Sequence, residues 1–113
     1  MIDQIRPPQL AAWLMQACGS GWPVVLDVRE PAEINAASVT PDGFDLIFMP
    51  MASVPARLSE LDPGRPIACL CHHGIRSQRV AAFLVANGFE HVANIAGGID
   101  AWSRELDASI ASY

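Results

Sequence analysis

The segment Pro66-Ile67-Ala68-Cys69-Leu70 runs without interruption into Cys71-His72-His73-Gly74-Ile75-Arg76-Ser77, and the reading of this join decides the fold. Ile67 to Leu70 is a short apolar run of the kind that forms a buried strand. From Arg76 to Asn87, the residues Val80, Ala81, Phe83 and Leu84 recur at helical spacing, and Gly88 follows as a stop. The polar stretch between them therefore sits at the carboxyl end of a strand and the amino end of a helix. Backbone N–H groups without helical partners point into such a loop, and the helix dipole adds partial positive charge. A thiol in that place is favoured as its thiolate, the reactive form.

Working outward, the same alternation recurs along the chain. Val24-Val25-Leu26, Leu46-Ile47-Phe48 and Val92 to Ile95 read as further short buried strands. Helix-sized segments lie between them: Pro8 to Ala17, with Leu10, Trp13, Leu14 and Ala17 on one face and a stop at Gly19 and Gly21; Pro31 to Ala37; Val54 to Leu61; and Ile99 to Leu106. This is an α/β pattern, which calls for a mostly parallel sheet covered by helices on both faces. Ligands of such open sheets bind at the carboxyl ends of the strands, where Cys71 falls. Ala36 to Phe44, with Thr40-Pro41-Asp42-Gly43, reads as an irregular surface loop. The tail after Leu106 is open between a frayed end and a packed one.

At 113 residues, 51% of them hydrophobic, the chain fits one domain spanning 1–113, and a second domain is not expected. Its apolar runs are broken well short of the ~20 residues of a membrane helix. The start, Met1-Ile2-Asp3-Gln4-Ile5-Arg6, lacks the basic and apolar regions of a signal peptide, so a cytoplasmic location and no membrane partner are expected. Three cysteines, Cys18, Cys69 and Cys71, are too few for a disulfide framework and suit a reducing compartment. A net charge of -5 repels polyanions, so nucleic acid is not an expected partner. Arg76 and Arg79, with His72 and His73, nevertheless predict one positive spot beside Cys71, suited to a small anion.

Within the loop, Cys71 is the candidate nucleophile. A buried structural cysteine is the competing reading, but the polar His72-His73-Gly74 that follows favours a loop turned outward. Cys69 shares the side-chain direction of Cys71 and reads as core. Gly74 would permit a positive φ and bring backbone N–H groups close to the sulfur, or serve as an ordinary turn residue. Arg76 would hold the anionic end of a ligand or brace the loop by bonding its carbonyls. Ser77 reads as a helix cap. His72 and His73 either favour the thiolate when protonated and help bind a donor, or are simply exposed. Cys69, Cys71, His72 and His73 are crowded together without a distant second ligand pair, so neither a metal nor another cofactor is expected.

Three segments in order resemble the single-domain rhodaneses, sulfurtransferases that carry sulfur as a cysteine persulfide. They are Leu26-Asp27-Val28-Arg29-Glu30-Pro31, the loop Cys71 to Ser77, and Gly97-Gly98-Ile99-Asp100-Ala101-Trp102; Pro50 to Leu61 is similar to the segment ahead of the catalytic strand. The resemblance covers nearly the whole chain and implies a rhodanese-like fold, with Cys71 catalytic and His72, His73, Gly74, Ile75 and Arg76 binding substrate. Ser77, Asp27 and Arg29 would support the site, the last two as a structural ion pair or hydrogen-bond anchors. The implied reaction moves sulfane sulfur from thiosulfate or a similar small anionic donor to cyanide or a thiol, including a thiol on an acceptor protein.

The chain departs from the family where members commonly carry a His-Ile-Pro-Gly-like segment after the position of Glu33; here Ser38-Val39 leads into a longer loop. Four residues separate Cys71 from Arg76, whereas phosphatases resembling this plan use five and would place their arginine at Ser77. The shorter loop favours sulfur transfer over phosphate or arsenate chemistry. A noncatalytic or partner-specific rhodanese module, serving regulation or protein-to-protein sulfur delivery, is the alternative from another class.

Overall fold

Three of the strands are apolar or buried at every position, which a strand sustains only when both faces of its sheet are covered. These are β2 (Val24–Asp27), β4 (Ile67–Leu70) and β5 (Val92–Ile95). The computed structural model describes residues 2–17, 19 and 21–113; Met1 and Cys18, both used in the sequence reading, lie outside them, as does Ser20. Among the described residues, β1 (Ile2–Ile5) and β3 (Asp45–Phe48) complete a five-stranded sheet of order β1-β5-β4-β2-β3. Every pairing is parallel, so the α/β reading holds with no antiparallel strand. β1 has no counterpart in the sequence reading: it is an edge strand whose Asp3 and Gln4 are exposed, so it has no buried run to signal it.

Helices lie against both faces. On one, α1 (Leu10–Ala17) and α5 (Gly98–Glu105) bring Leu10, Trp13, Leu14, Ile99 and Trp102 against Val25, Ala68 and Ala93. On the other, α3 (Val54–Arg57) and α4 (Ile75–Ala86) bring Val54, Val80, Ala81 and Leu84 against Val24, Leu26, Cys69 and Val92. Each fully buried Leu or Val side chain in these layers stabilises the fold by about 2 kcal/mol. The long helix expected over 54–61 is instead one α-turn between the 3₁₀ turns Met51–Ser53 and Leu58–Glu60. The chain leaves helical geometry there to turn Leu61 into the core ahead of Pro63.

α2 (Pro31–Ala36) buries no side chain. Pro31 sets its first turn, and the Glu33 carboxylate accepts the Glu30 N–H at 2.8 Å, closing a reciprocal cap. The loop beyond it is less of a surface feature than its composition suggests. Val39 and Phe44 are buried, and Phe44 meets Trp102 edge-on at 6.3 Å. The tail is also packed: Ile110 is buried, and Ser103 Oγ donates to the Ile110 carbonyl at 2.7 Å. Among the described residues, no helix is long and apolar enough to cross a membrane.

Candidate active site

In a parallel sheet all carboxyl ends lie on one edge, so the three sequence segments singled out above converge if their strands are in step. They are: Leu26 pairs with Cys69, and Cys69 with Asn94. The residues after β2, β4 and β5 therefore meet, bringing Arg29, the loop 71–77 and the Gly97-Gly98 turn together.

Gly74 takes φ +97° just before α4, and a Cβ there would lie 3.0 Å from the Gly97 nitrogen. Only glycine adopts that conformation without strain. Its N–H donates to Cys71 Sγ at 3.1 Å, and the Ser77 N–H reaches the same sulfur at 3.4 Å. The loop carbonyls face the other way. Those of Cys71 and His72 accept from the backbone N–H groups of Ile99 at 2.9 Å and Asp100 at 3.1 Å, in the first turn of α5. At Gly98, φ +60°, a Cβ would stand 2.4 Å from both carbonyl oxygens, so the close approach requires glycine. Amides turned inward and carbonyls turned outward make a concavity fit for an anionic sulfur.

The Cys71 side chain lies beneath this loop and is only 1% exposed, which corrects the expectation that the loop turns it outward. The Gly97-Gly98 turn presses the backbone down over it, while His73 and Ile75 remain exposed. Cys69 is wholly buried in the core, as expected, and burial pushes its thiol well above the ordinary range.

Ser77 is not the helix cap: α4 begins at Ile75, with Gly74 at the cap position and no side-chain cap bond. Its hydroxyl instead lies 3.2 Å from Cys71 Sγ and donates to Asn94 Oδ1 at 2.6 Å. With that proton committed to Asn94, Ser77 Oγ accepts from a Cys71 thiol; on ionisation the hydroxyl can turn to the thiolate by releasing Asn94. Asn94, missed in the sequence, completes the arrangement. Its Nδ2 donates to the Gly74 carbonyl at 3.2 Å and to Gln4 Oε1 at 3.0 Å, fixing the loop to β5 and, through it, to β1. Its signal was a lone amide in an otherwise apolar strand, since a buried amide needs partners.

Arg76 does not brace the loop carbonyls. Its two terminal nitrogens each hold a Glu33 oxygen at 2.7 Å, a bidentate pair with side chains 30% and 21% exposed. That bond is the main cause that raises the Arg76 pKa and holds the Glu33 carboxyl down at about 2. Arg29 is fully buried and bonded to Asp27, Nη2 to Oδ2 at 2.7 Å and Nε to Oδ1 at 2.9 Å. It also donates to the Glu33 carbonyl at 3.2 Å and the Tyr113 hydroxyl at 3.1 Å. Of the positive spot expected beside Cys71, the Arg76 charge is therefore largely offset by Glu33, while Arg79 is exposed and outside that pair. What remains for an anion is the unpaired N–H edge of Arg76 and the loop amides.

His72 stacks on Tyr113, and its pKa is lowered, first by burial and then by the neighbouring His73. His72, His73 and Asp100 place ligand atoms within 4.8 Å of one another, the one such grouping among the described residues. The two imidazoles are packed against each other, with centroids 3.9 Å apart and planes tilted by 32°. Asp100 is further engaged with Arg104 at 2.7 Å. With one carboxylate already paired to an arginine, this group lacks the four committed ligands of a structural zinc site.

A sulfur held by loop amides at the carboxyl end of a central parallel strand narrows the comparison with known proteins, and the profile of the rhodanese-like domain matches residues 10–105. The chain belongs to the rhodanese-like domain family. It is 40% identical over 81 residues to a sulfurtransferase of Allochromatium vinosum, covering 72% of each chain. It is 31% identical over 96 residues to the thiosulfate sulfurtransferase GlpE of Pseudomonas syringae pv. syringae, covering 85% of this chain and 83% of that one. A rhodanese-related protein of Thermoplasma volcanium superposes with TM-score 0.74 at 29% identity, over 92% of this chain and 93% of that one. The fold alone is shared with a rhodanese-like domain protein of Staphylococcus aureus, with TM-score 0.75 and 24% identity over 99% of both chains. In this rhodanese-like domain the Cys71 loop, the Asp27–Arg29 corner and the Gly97-Gly98 turn form one continuous structure.

Proposed function

We propose that this rhodanese-family sulfurtransferase moves sulfane sulfur from thiosulfate, or a similar small anionic donor, to cyanide or a thiol through a persulfide on Cys71. The observation that carries this reading is the set of groups around Cys71 Sγ: the Gly74 N–H at 3.1 Å and the Ser77 N–H at 3.4 Å donate to it, and the Ser77 hydroxyl lies 3.2 Å away. The Cys71 thiolate attacks the outer sulfur of thiosulfate. The sulfur–sulfur bond of the donor breaks with its electron pair leaving on sulfite, and Cys71 keeps the sulfur as a persulfide. Cyanide or a thiolate then attacks the terminal sulfur and restores the Cys71 thiolate, releasing thiocyanate or a new persulfide. No net redox change falls on the protein, and the cycle calls for no cofactor.

The loop amides suit the anionic persulfide because they are fixed before the reaction and need no reorientation as charge moves to the terminal sulfur. The free edge of Arg76 binds the sulfonate end of the donor, and His72, His73 and Ile75 form the surrounding rim. Ser77, Asp27 and Arg29 hold the site together. We place the activity in the cytoplasm, where a reducing environment keeps Cys71 free.

Intact mass tests the reading. After incubation with thiosulfate and removal of excess, the protein is expected to gain one sulfur atom, which cyanide removes. Cys71→Ser abolishes the gain and Cys69→Ser retains most of it. Equal loss in both variants, with folding intact, overturns the assignment to Cys71. Failure to load from thiosulfate, alongside capture of sulfur from a persulfidated protein, favours partner-specific delivery instead.

A further inference from the structure

Tyr113 reaches the rim of the sulfur site from the far end of the chain. Its ring lies flat on His72, with centroids 4.0 Å apart and planes 10° from parallel, and His72 in turn covers His73. The hydroxyl is tied at two points: it accepts from Arg29 Nη1 at 3.1 Å and donates to Glu33 Oε1 at 3.2 Å. These partners surround the mouth of the loop, since His72 directly follows Cys71 and Glu33 grips Arg76. The ring comes from an anchored segment, because Ile110 is buried and its carbonyl is bonded to Ser103. Tyr113 itself is 40% exposed, so the ring lies at the surface, above a Cys71 side chain that is only 1% exposed.

We propose that Tyr113 is a specificity-determining residue, a ring over the mouth of the Cys71 loop that admits small donors and acceptors and must leave His72 before a peptide- or protein-borne thiol reaches the sulfur. This rests on the sulfurtransferase reading above. What holds the ring is local: the stack on His72, the Arg29 guanidinium 5.7 Å from its centroid, two hydrogen bonds of its hydroxyl and one between His72 and the Tyr113 backbone, with Ile110 as a fixed point behind it. It can therefore swing without unfolding the tail. A small anion or cyanide passes beside it, whereas a thiol carried on a peptide brings backbone and neighbouring side chains into the space the ring occupies.

The test compares the full chain with Tyr113→Ala and Tyr113→Phe in two assays. In the first, Cys71 is alkylated by iodoacetamide or by a maleimide carrying a polyethylene glycol chain, and loss of the unmodified Cys71 peptide is followed by mass. In the second, sulfur loaded from thiosulfate is withdrawn by cyanide or by a cysteine-containing peptide. Tyr113→Ala is expected to raise the rates with the bulky maleimide and the peptide by about fivefold relative to iodoacetamide and cyanide, the order expected from losing one aromatic stack. Tyr113→Phe, which keeps the ring and loses its two ties, falls between. Equal changes for small and large reagents, or none, overturn the proposal. Alkylation requires no sulfur transfer, so the two readings fail separately: a shifted size ratio without sulfur loading sinks the transferase reading alone, and loading with an unshifted ratio sinks the gate alone.

Discussion

Two arginine–carboxylate pairs stand within one residue's reach of each other at the strand ends, and they are built for opposite ends. Arg29 and Asp27 are both 0% exposed, two residues apart, and every direction around the guanidinium is filled by protein. Arg76 and Glu33 come from segments 43 residues apart and keep 30% and 21% of their side chains exposed. Tyr113 joins the two pairs, with its hydroxyl between Arg29 and Glu33. A buried pair cannot be opened without stranding a charge, so it fixes the corner after β2 permanently. A pair that keeps part of each side chain in solvent can be exchanged for solvent or a ligand at smaller cost, so the charge on Arg76 is available on demand.

The sharpest way to break the contrast is Asp27→Ala. It leaves the Arg29 guanidinium buried without its counter-charge and is expected to cost about 3–5 kcal/mol in urea unfolding, a large share of the ~5–15 kcal/mol that holds a domain together. A loss below about 1 kcal/mol would show that solvent reaches Arg29. Glu33→Gln should change stability by no more than about 1 kcal/mol. Its main effect is kinetic: removing a negative charge from beside the donor site lowers KM for thiosulfate about threefold. A raised KM would mean that Glu33 holds Arg76 in its binding pose and that orientation outweighs charge.

The smallest expected effect separates the pairs by pH. Glu33 remains ionised in the folded protein down to about 2, against an ordinary value of 4.5, chiefly because of its bond to Arg76. A depressed carboxylate pKa stabilises the fold fully above the unfolded value and is lost as pH falls through the folded one. The Arg76–Glu33 contribution should thus be intact at pH 6 and decline between about 4.5 and 2. Urea midpoints measured through that window should fall more for the native chain than for Glu33→Gln. Parallel curves would assign the acid sensitivity to other carboxylates.

The same contrast separates what was legible in the sequence from what was not. β4 and β5 are readable because short apolar runs, broken in β5 only by Asn94, are what a parallel sheet covered on both faces requires, and Cys71, Gly74 and Arg76 stand out because local spacing puts them at a strand-to-helix join. β1 is invisible to that logic, since its two isoleucines flank exposed polar residues. Helix α4 starts one residue earlier than periodicity indicates because Gly74, with its positive φ, sets the start. The grip of Glu33 on Arg76, the bond of Ser77 to Asn94 and the return of Tyr113 to His72 are all long-range. Each partner looks ordinary in its own neighbourhood, and only the closed tertiary structure pairs them.

The contact at Gly98 bears on how such a site can be moved between proteins. A side chain there would strike the Cys71 and His72 carbonyl oxygens at 2.4 Å, while the neighbouring N–H groups of Ile99 and Asp100 bond to those same carbonyls. The mould that shapes the loop therefore lies in a different stretch of chain, more than twenty residues downstream. A designer who grafts only Cys71 to Ser77 onto another strand-to-helix join transplants the casting without its mould, and the loop is free to turn its carbonyls toward the sulfur. The portable unit is two-piece, loop and glycine turn together, at the ends of two adjacent parallel strands.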